Sequence, residues 1–190
     1  MVHLLPHWNF EGREGEMMRV VAYTNCESLE LYLNGKSLGK QDIEKYGHGE
    51  WSVPYESGEL RVDAFKNGVL VATDKQVTTG APVALKLSLN NKVSKANGRD
   101  VAIVTCYCVD SEGREVPTAA PFVRFHCNTL GKILGTGSDV CDHVPVTEPS
   151  RQMRAGRIGI ALMVGKTAGE LKLYAETEHL KSAVLTIKLD

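Results

Sequence analysis

An excess of charge of either sign is missing from this sequence. Its 190 residues carry 22 basic and 23 acidic side chains, for a formal net charge of -1. Without a clustered basic surface there is no electrostatic footprint for nucleic acid or for an anionic membrane. Long apolar runs are missing too. No stretch approaches the roughly 20 apolar residues of a membrane span, so no membrane insertion is expected. The opening MVHLLPHWNFEGREG lacks the charged, apolar and small-residue succession of a signal peptide. No Cys-x-x-Cys occurs, which leaves zinc-ribbon and thioredoxin chemistry without support. The five cysteines are Cys26, Cys106, Cys108, Cys127 and Cys141, an odd number that cannot all pair within one chain. Cys106 and Cys108 share one face of an evident strand, an awkward geometry for bonding each other. Most of the five are expected to be small buried apolar residues. Helical periodicity is absent throughout.

What is present is period two. In residues 17–39, MMRVVAYTNCESLELYLNGKSLG, Met18, Val20 and Ala22 share one strand face and Met17, Arg19, Val21 and Tyr23 the other. After a polar turn, Leu29, Leu31 and Leu33 point one way while Glu30, Tyr32 and Asn34 point the other. Asn34-Gly35 and Asn67-Gly68 supply the positive φ values of tight hairpins. Pro54 places the strand EWSVPY at a sheet edge. Residues 3–14 read as irregular, and residues 101–109 (VAIVTCYCV), apolar at alternate and intervening positions, as a central strand covered on both faces or bordering a neighbouring domain. Turn signals every few residues divide the chain into about six or seven short strands before Gly80-Ala81-Pro82 and about seven after it. The fold class expected is all-β, two tandem immunoglobulin-like β-sandwich domains at residues 1–80 and 81–190.

Catalytic constellations are hard to find. Retaining glycosidases need two carboxylates about 5–5.5 Å apart. Glu11, Glu14 and Glu16 cluster in sequence, but they flank glycines and are expected to be solvated. No G-x-S-x-G occurs, and Gly131, Gly135 and Gly137 resemble a phosphate loop only loosely, with no helix to follow. Asp139, Cys141, Asp142 and His143 mix oxygen, sulfur and nitrogen donors in a way that suits neither calcium nor zinc. They are expected to form a loop whose acids cap turns. No catalytic residue, metal ligand or cofactor follows from any of these. Exposed aromatics are the remaining chemistry. Trp8, Phe10, Trp51 and Tyr55 could form a platform for the C–H faces of sugars, or be ordinary core residues.

Residues 3–16, HLLPHWNFEGREGE, followed by VVAYTNCESLELYLNGKSLG, closely resemble the first of two C-terminal modules in β-galactosidases of glycoside hydrolase family 2, particularly Bacteroides-type enzymes. Phe10 stands where Trp is common. Gly98-Arg99-Asp100-Val101, residues 109–117 (VDSEGREVP), Ile133-Leu134-Gly135-Thr136-Gly137, residues 139–145 (DVCDHVP) and Arg154-Ala155-Gly156-Arg157 resemble the immunoglobulin-like domain that follows, with Ser138 in place of a frequent Asn. In such enzymes the catalytic carboxylates lie on a TIM barrel N-terminal to this region, and a barrel takes about 250 residues. The resemblance therefore implies an excised C-terminal fragment that hydrolyses nothing, supports the missing barrel and borders its substrate entrance. His7, Trp8, Asn9 and Phe10 precede the first sandwich strand and carry apolar surface with nowhere local to go, so they are expected to face that barrel, the intramolecular partner given by the resemblance. The resemblance also implies a parent that is periplasmic, on the cell surface or secreted. The alternative is a carbohydrate-binding module with Trp8, Trp51 and Tyr55 as its platform. A third reading, an adhesin or receptor-type sandwich, rests on architecture alone.

Overall fold

The computed structural model describes residues 1–190, which form fifteen β-strands and no α-helix. The chain divides into two compact units, Met1–Thr78 and Thr79–Asp190. Gly80, the expected boundary, lies two residues into the second.

The N-terminal unit contains β1 (Val2–Leu5), β2 (Met17–Thr24), β3 (Ser28–Leu33), β4 (Lys36–Asp42), β5 (His48–Pro54), β6 (Glu59–Lys66) and β7 (Val69–Val77). They pair as a three-stranded sheet, β1-β2-β5, and a four-stranded sheet, β4-β3-β6-β7. Strand alternation decides which residues lie inside. Met18, Val20 and Ala22 of β2 are buried, as are Leu29, Leu31 and Leu33 of β3 and Leu60, Val62 and Ala64 of β6. Each leucine so buried contributes roughly 1.5–3 kcal/mol. The polar turn between β2 and β3 takes the chain from one sheet to the other. Asn34-Gly35 and Asn67-Gly68 adopt φ of 50° and 80°, and of 51° and 74°. Two successive left-handed residues make the hairpin turn whose twist suits its strands. β5 with Pro54 is an edge strand, as expected.

One strand was not expected. Val2–Leu5 pairs with β2, Leu4 opposite Ala22, and Leu4 is fully buried. Four residues followed by Pro6 are too few to show alternation against an irregular background. Side chains close the gap between the two sheets at both edges. The Leu4 N–H donates to Asp74 Oδ2 at 2.8 Å, and Gln76 Nε2 donates to the Leu4 carbonyl at 3.2 Å, joining β1 to β7. At the opposite edge, Gln41 of β4 donates to the Glu50 carbonyl of β5 at 2.8 Å and accepts its N–H at 3.2 Å.

The C-terminal unit contains β8 (Ala84–Leu89), β9 (Val101–Val109), β10 (Phe122–Cys127), β11 (Gly131–Gly137), β12 (Ser150–Gln152), β13 (Arg157–Val164), β14 (Gly169–Glu176) and β15 (Ala183–Leu189). The sheet orders are β11-β13-β9-β8 and β12-β10-β14-β15. Setting β12 aside, strands one, two, five and four share one sheet and strands three, six and seven the other, the order described for constant-type immunoglobulin sandwiches. Ala102, Val104, Cys106 and Cys108 of β9 face Val123 and Phe125 of β10 and Leu171 and Leu173 of β14 in one core.

One expectation needs correction here. β9 is internal to its sheet, but only its inner face is dry. Ile103 is 44% exposed, and Val101, Thr105 and Tyr107 are half-buried. A two-layer sandwich covers one face of each sheet, and apolar outward residues do not change that. The glycine-rich residues 131–137 are strand β11, with a register shift between Ile133 and Gly135. A Cβ on Gly131 would lie 2.7 Å from Leu171 Cδ1 and 2.9 Å from the Met163 carbonyl, so this glycine serves close packing. All five cysteines are free. Burial pushes the Cys106 thiol up to about 12 and that of Cys108 to about 11, which keeps both protonated and unreactive.

Candidate functional site

The aromatic residues of the N-terminal unit do not make a platform. Trp8 is fully buried, Tyr55 is 1% exposed and Trp51 is 8% exposed. The Gly15 N–H donates to the Tyr55 carbonyl and the Tyr55 N–H to the Glu16 carbonyl, both at 2.9 Å, which fastens the segment after β1 onto the sandwich. Trp8 thereby enters the core, where its Nε1 donates to the Glu56 carbonyl at 2.8 Å and its own carbonyl accepts from Thr78 Oγ1 at 2.6 Å. Tyr55 meets the Trp8 ring edge-on at 5.2 Å, and Phe10 meets the Trp8 and Tyr55 rings at 6.0 Å and 5.5 Å. The Trp51 ring covers Gly49, where a Cβ would collide with it. Rings buried in a core offer no face to a sugar, so Trp8, Trp51 and Tyr55 are corrected from platform to core residues. The apolar surface of Trp8 also has a local home, so it does not wait for another domain. His7, Asn9 and Phe10 remain half-buried at the surface of the unit. Burial lowers the pKa of His7, whose Nδ1 accepts the Asn9 N–H at 3.2 Å.

The acidic loop after β11 is occupied with its own structure. Asp139 Oδ1 accepts the Cys141 N–H at 2.7 Å, and Asp142 Oδ1 accepts the Val144 N–H at 2.9 Å. The other Asp142 oxygen pairs with Nη1 of Arg151, which is 1% exposed. The Val144 N–H, and then Arg151, hold the Asp142 carboxyl below the usual carboxylate range. Arg151 also donates from Nε to Thr136 Oγ1 and from Nη2 to the Pro145 carbonyl, each at 2.9 Å. Thr136 and Arg151 sit on edge strands of different sheets, so this arginine closes one side of the sandwich. Sequence reasoning missed it because Arg151, Arg154 and Arg157 look alike in RQMRAGR. Asp110 is a second internal anchor. Its buried carboxylate accepts N–H groups of Gly80, Glu112 and Arg114 at 2.9–3.0 Å and Nε of Arg114 at 2.8 Å. Burial alone would raise its pKa, but these donors outweigh it and bring it down to about 2.

A surface open to a ligand lies on the C-terminal unit. Alternation along β10 turns Phe122, Arg124 and His126 outward together. Phe122 is 46% exposed, and the Arg124 guanidinium carbon lies 5.7 Å from its ring centre. His126 stacks on Tyr174 of β14 at 4.6 Å with the planes 6° apart. At the Phe122 end this face runs into a cleft of about 300 Å³. Pro82, Pro121 and Leu180 give it apolar walls, while Arg124, Glu178 and His179 supply charge and hydrogen-bonding groups. Such a constellation can bind by stacking and charge. The sequence carried a signal for it: FVRFHC read at period two puts ring, cation and ring on one face.

Residues 85–186 match the model of glycoside hydrolase family 2 C-terminal domain 5, and residues 15–72 match a domain of unknown function (DUF4982). The chain is 32% identical over 197 residues to the β-galactosidase BoGH2A of Bacteroides ovatus, covering 100% of this chain and 22% of that protein. It is 35% identical over 128 residues to a β-glucuronidase of Formosa agariphila, covering 65% of this chain and 13% of the other. Among solved structures, a β-glycosidase from Bacteroides vulgatus superposes with a TM-score of 0.92 at 31% identity, over 98% of this chain and 24% of that one. A β-glucuronidase from glycoside hydrolase family 2 superposes at 0.88 with 27% identity, over 100% and 20%. Where nearly the whole chain is matched, it spans between about a fifth and a quarter of the length of these relatives.

Proposed function

Because the chain belongs to the family of glycoside hydrolase family 2 C-terminal domain 5, we propose that it serves as the non-catalytic C-terminal region of a longer glycosidase of β-galactosidase or β-glucuronidase type. The supporting observation is a match along nearly the whole of this chain that takes in only 24% of the β-glycosidase it superposes on. In this reading the two sandwiches buttress a catalytic barrel and border its substrate entrance, and the parent works in the periplasm or at the cell surface. The barrel would contact the N-terminal unit at His7, Asn9 and Phe10. It would also cover the start of β7, where Val69, Leu70 and Val71 are 62%, 51% and 53% exposed on an edge strand. Edge strands with exposed apolar side chains are ordinarily covered, and β1 reaches only the far end of β7, at Asp74 and Gln76.

Hydrogen exchange tests the contact. Amides of residues 7–10 and 69–71 should exchange markedly more slowly in the longer protein than in the 190-residue chain alone. Equal rates in both would remove these segments from any interface.

A further inference from the structure

We propose that the cleft beside Phe122 is a binding site for a single pyranose ring bearing a carboxylate, a hexuronate. It goes beyond the accessory role proposed above. Three features of the C-terminal unit carry this inference. The first is the ring. Phe122 is 46% exposed at the end of a strand whose other outward residues are polar, and Pro121 and Leu180 extend its apolar surface into the cleft. An exposed aromatic face with polar groups at its rim suits the C–H face of a sugar whose hydroxyls point outward.

The second is the charge. Arg124 stands over that ring and takes part in no ion pair, although Glu176 lies directly across from it in the strand register. Arg114, Arg151 and Arg157 of the same unit are paired with carboxylates, whereas Arg124, like Arg99 and Arg154, is not, and Arg124 alone of these lines the cleft. An unpaired guanidinium at the rim of an apolar cleft selects a carboxylate, which it can hold by two parallel hydrogen bonds. The third is size and polarity. A volume of about 300 Å³ is at the bottom of the range for small-molecule sites, enough for one ring and too little for a buried chain of them. Glu178 and His179 line the cleft with Arg124, where they can accept from and donate to hydroxyls while the carboxylate lies against Arg124.

Calorimetric titration of the 190-residue chain with methyl β-D-glucuronide, methyl β-D-glucoside and acetate tests the site. The two glycosides differ only at C6, and acetate supplies the charge without the ring. The glucuronide should bind saturably at millimolar concentration or below, with the glucoside and acetate each weaker by about tenfold or more. Phe122→Ala and Arg124→Ala should each weaken the glucuronide by about tenfold while leaving its melting temperature unchanged, since both side chains are outside the core. Arg124→Lys should recover part of the loss, because it keeps the charge and gives up the fork. Absence of saturable glucuronide binding overturns the proposal. So does equal binding of glucoside or acetate, or glucuronide affinity indifferent to both alanine variants.

Discussion

The N-terminal unit buries Trp8, Trp51 and Tyr55, whereas the C-terminal unit has Phe125 as its one buried aromatic and leaves Phe122 and His126 on its surface. The difference follows from how each sandwich is closed. In the N-terminal unit the segment carrying Trp8 and Phe10 folds back onto the sandwich and adds its rings to the core. The C-terminal unit has four strands facing four and closes its β11–β12 side with the buried guanidinium of Arg151. Trp8, Trp51 and Tyr55 in the first unit therefore report on packing. In the second, Phe122 and His126 are free to report on binding.

The largest expected effect breaks the first half of that comparison. Trp8→Ala removes a fully buried ring and the hydrogen bond to Glu56, and should cost the N-terminal unit about 3–5 kcal/mol in denaturant titration. Arg151→Ala comes next. It removes the link between β11 and β12 and leaves Asp142 without its partner, for about 3 kcal/mol lost from the C-terminal unit. Acid titration sharpens the comparison, since Asp110 belongs to the second unit alone. Its pKa falls from the ordinary 3.8 to about 2 in the fold. Its stabilisation is therefore complete above about pH 4 and is lost as pH falls through about 2. Asp110→Asn should flatten that part of the pH–stability curve of the C-terminal unit and leave the N-terminal unit unaffected. Phe122→Ala is the smallest effect, within about 0.5 kcal/mol, and a larger loss would mean that this ring is a core residue after all.

Much of the fold could be read from side-chain period and turn chemistry. The β2 and β3 faces, both Asn-Gly hairpins and the edge position of β5 follow from local rules that tertiary contacts did not override. The short strand β1 could not be read, because Leu4 is buried by pairing with a strand that begins at Met17. Neither could the location of Trp8, since an aromatic between polar neighbours is compatible with core and with surface, and the deciding contact is with Tyr55, far away in sequence. The site fared worse for the same reason. Trp51 and Tyr55 attract attention by type, yet strand alternation already points Trp51 inward with Val53. Phe122, Arg124 and His126 are less conspicuous, but the same alternation places them together outside. Ring type suggested the wrong residues; period two indicated the surface.

The most direct test of the accessory reading is hydrolysis by the 190-residue chain itself. Purified chain, shown to be folded by its melting transition, would be incubated with aryl β-galactoside and aryl β-glucuronide at high protein concentration. Release of the aryl group at the rate of buffer alone is expected with both substrates. Turnover that scales with protein concentration and survives further purification would contradict the accessory reading.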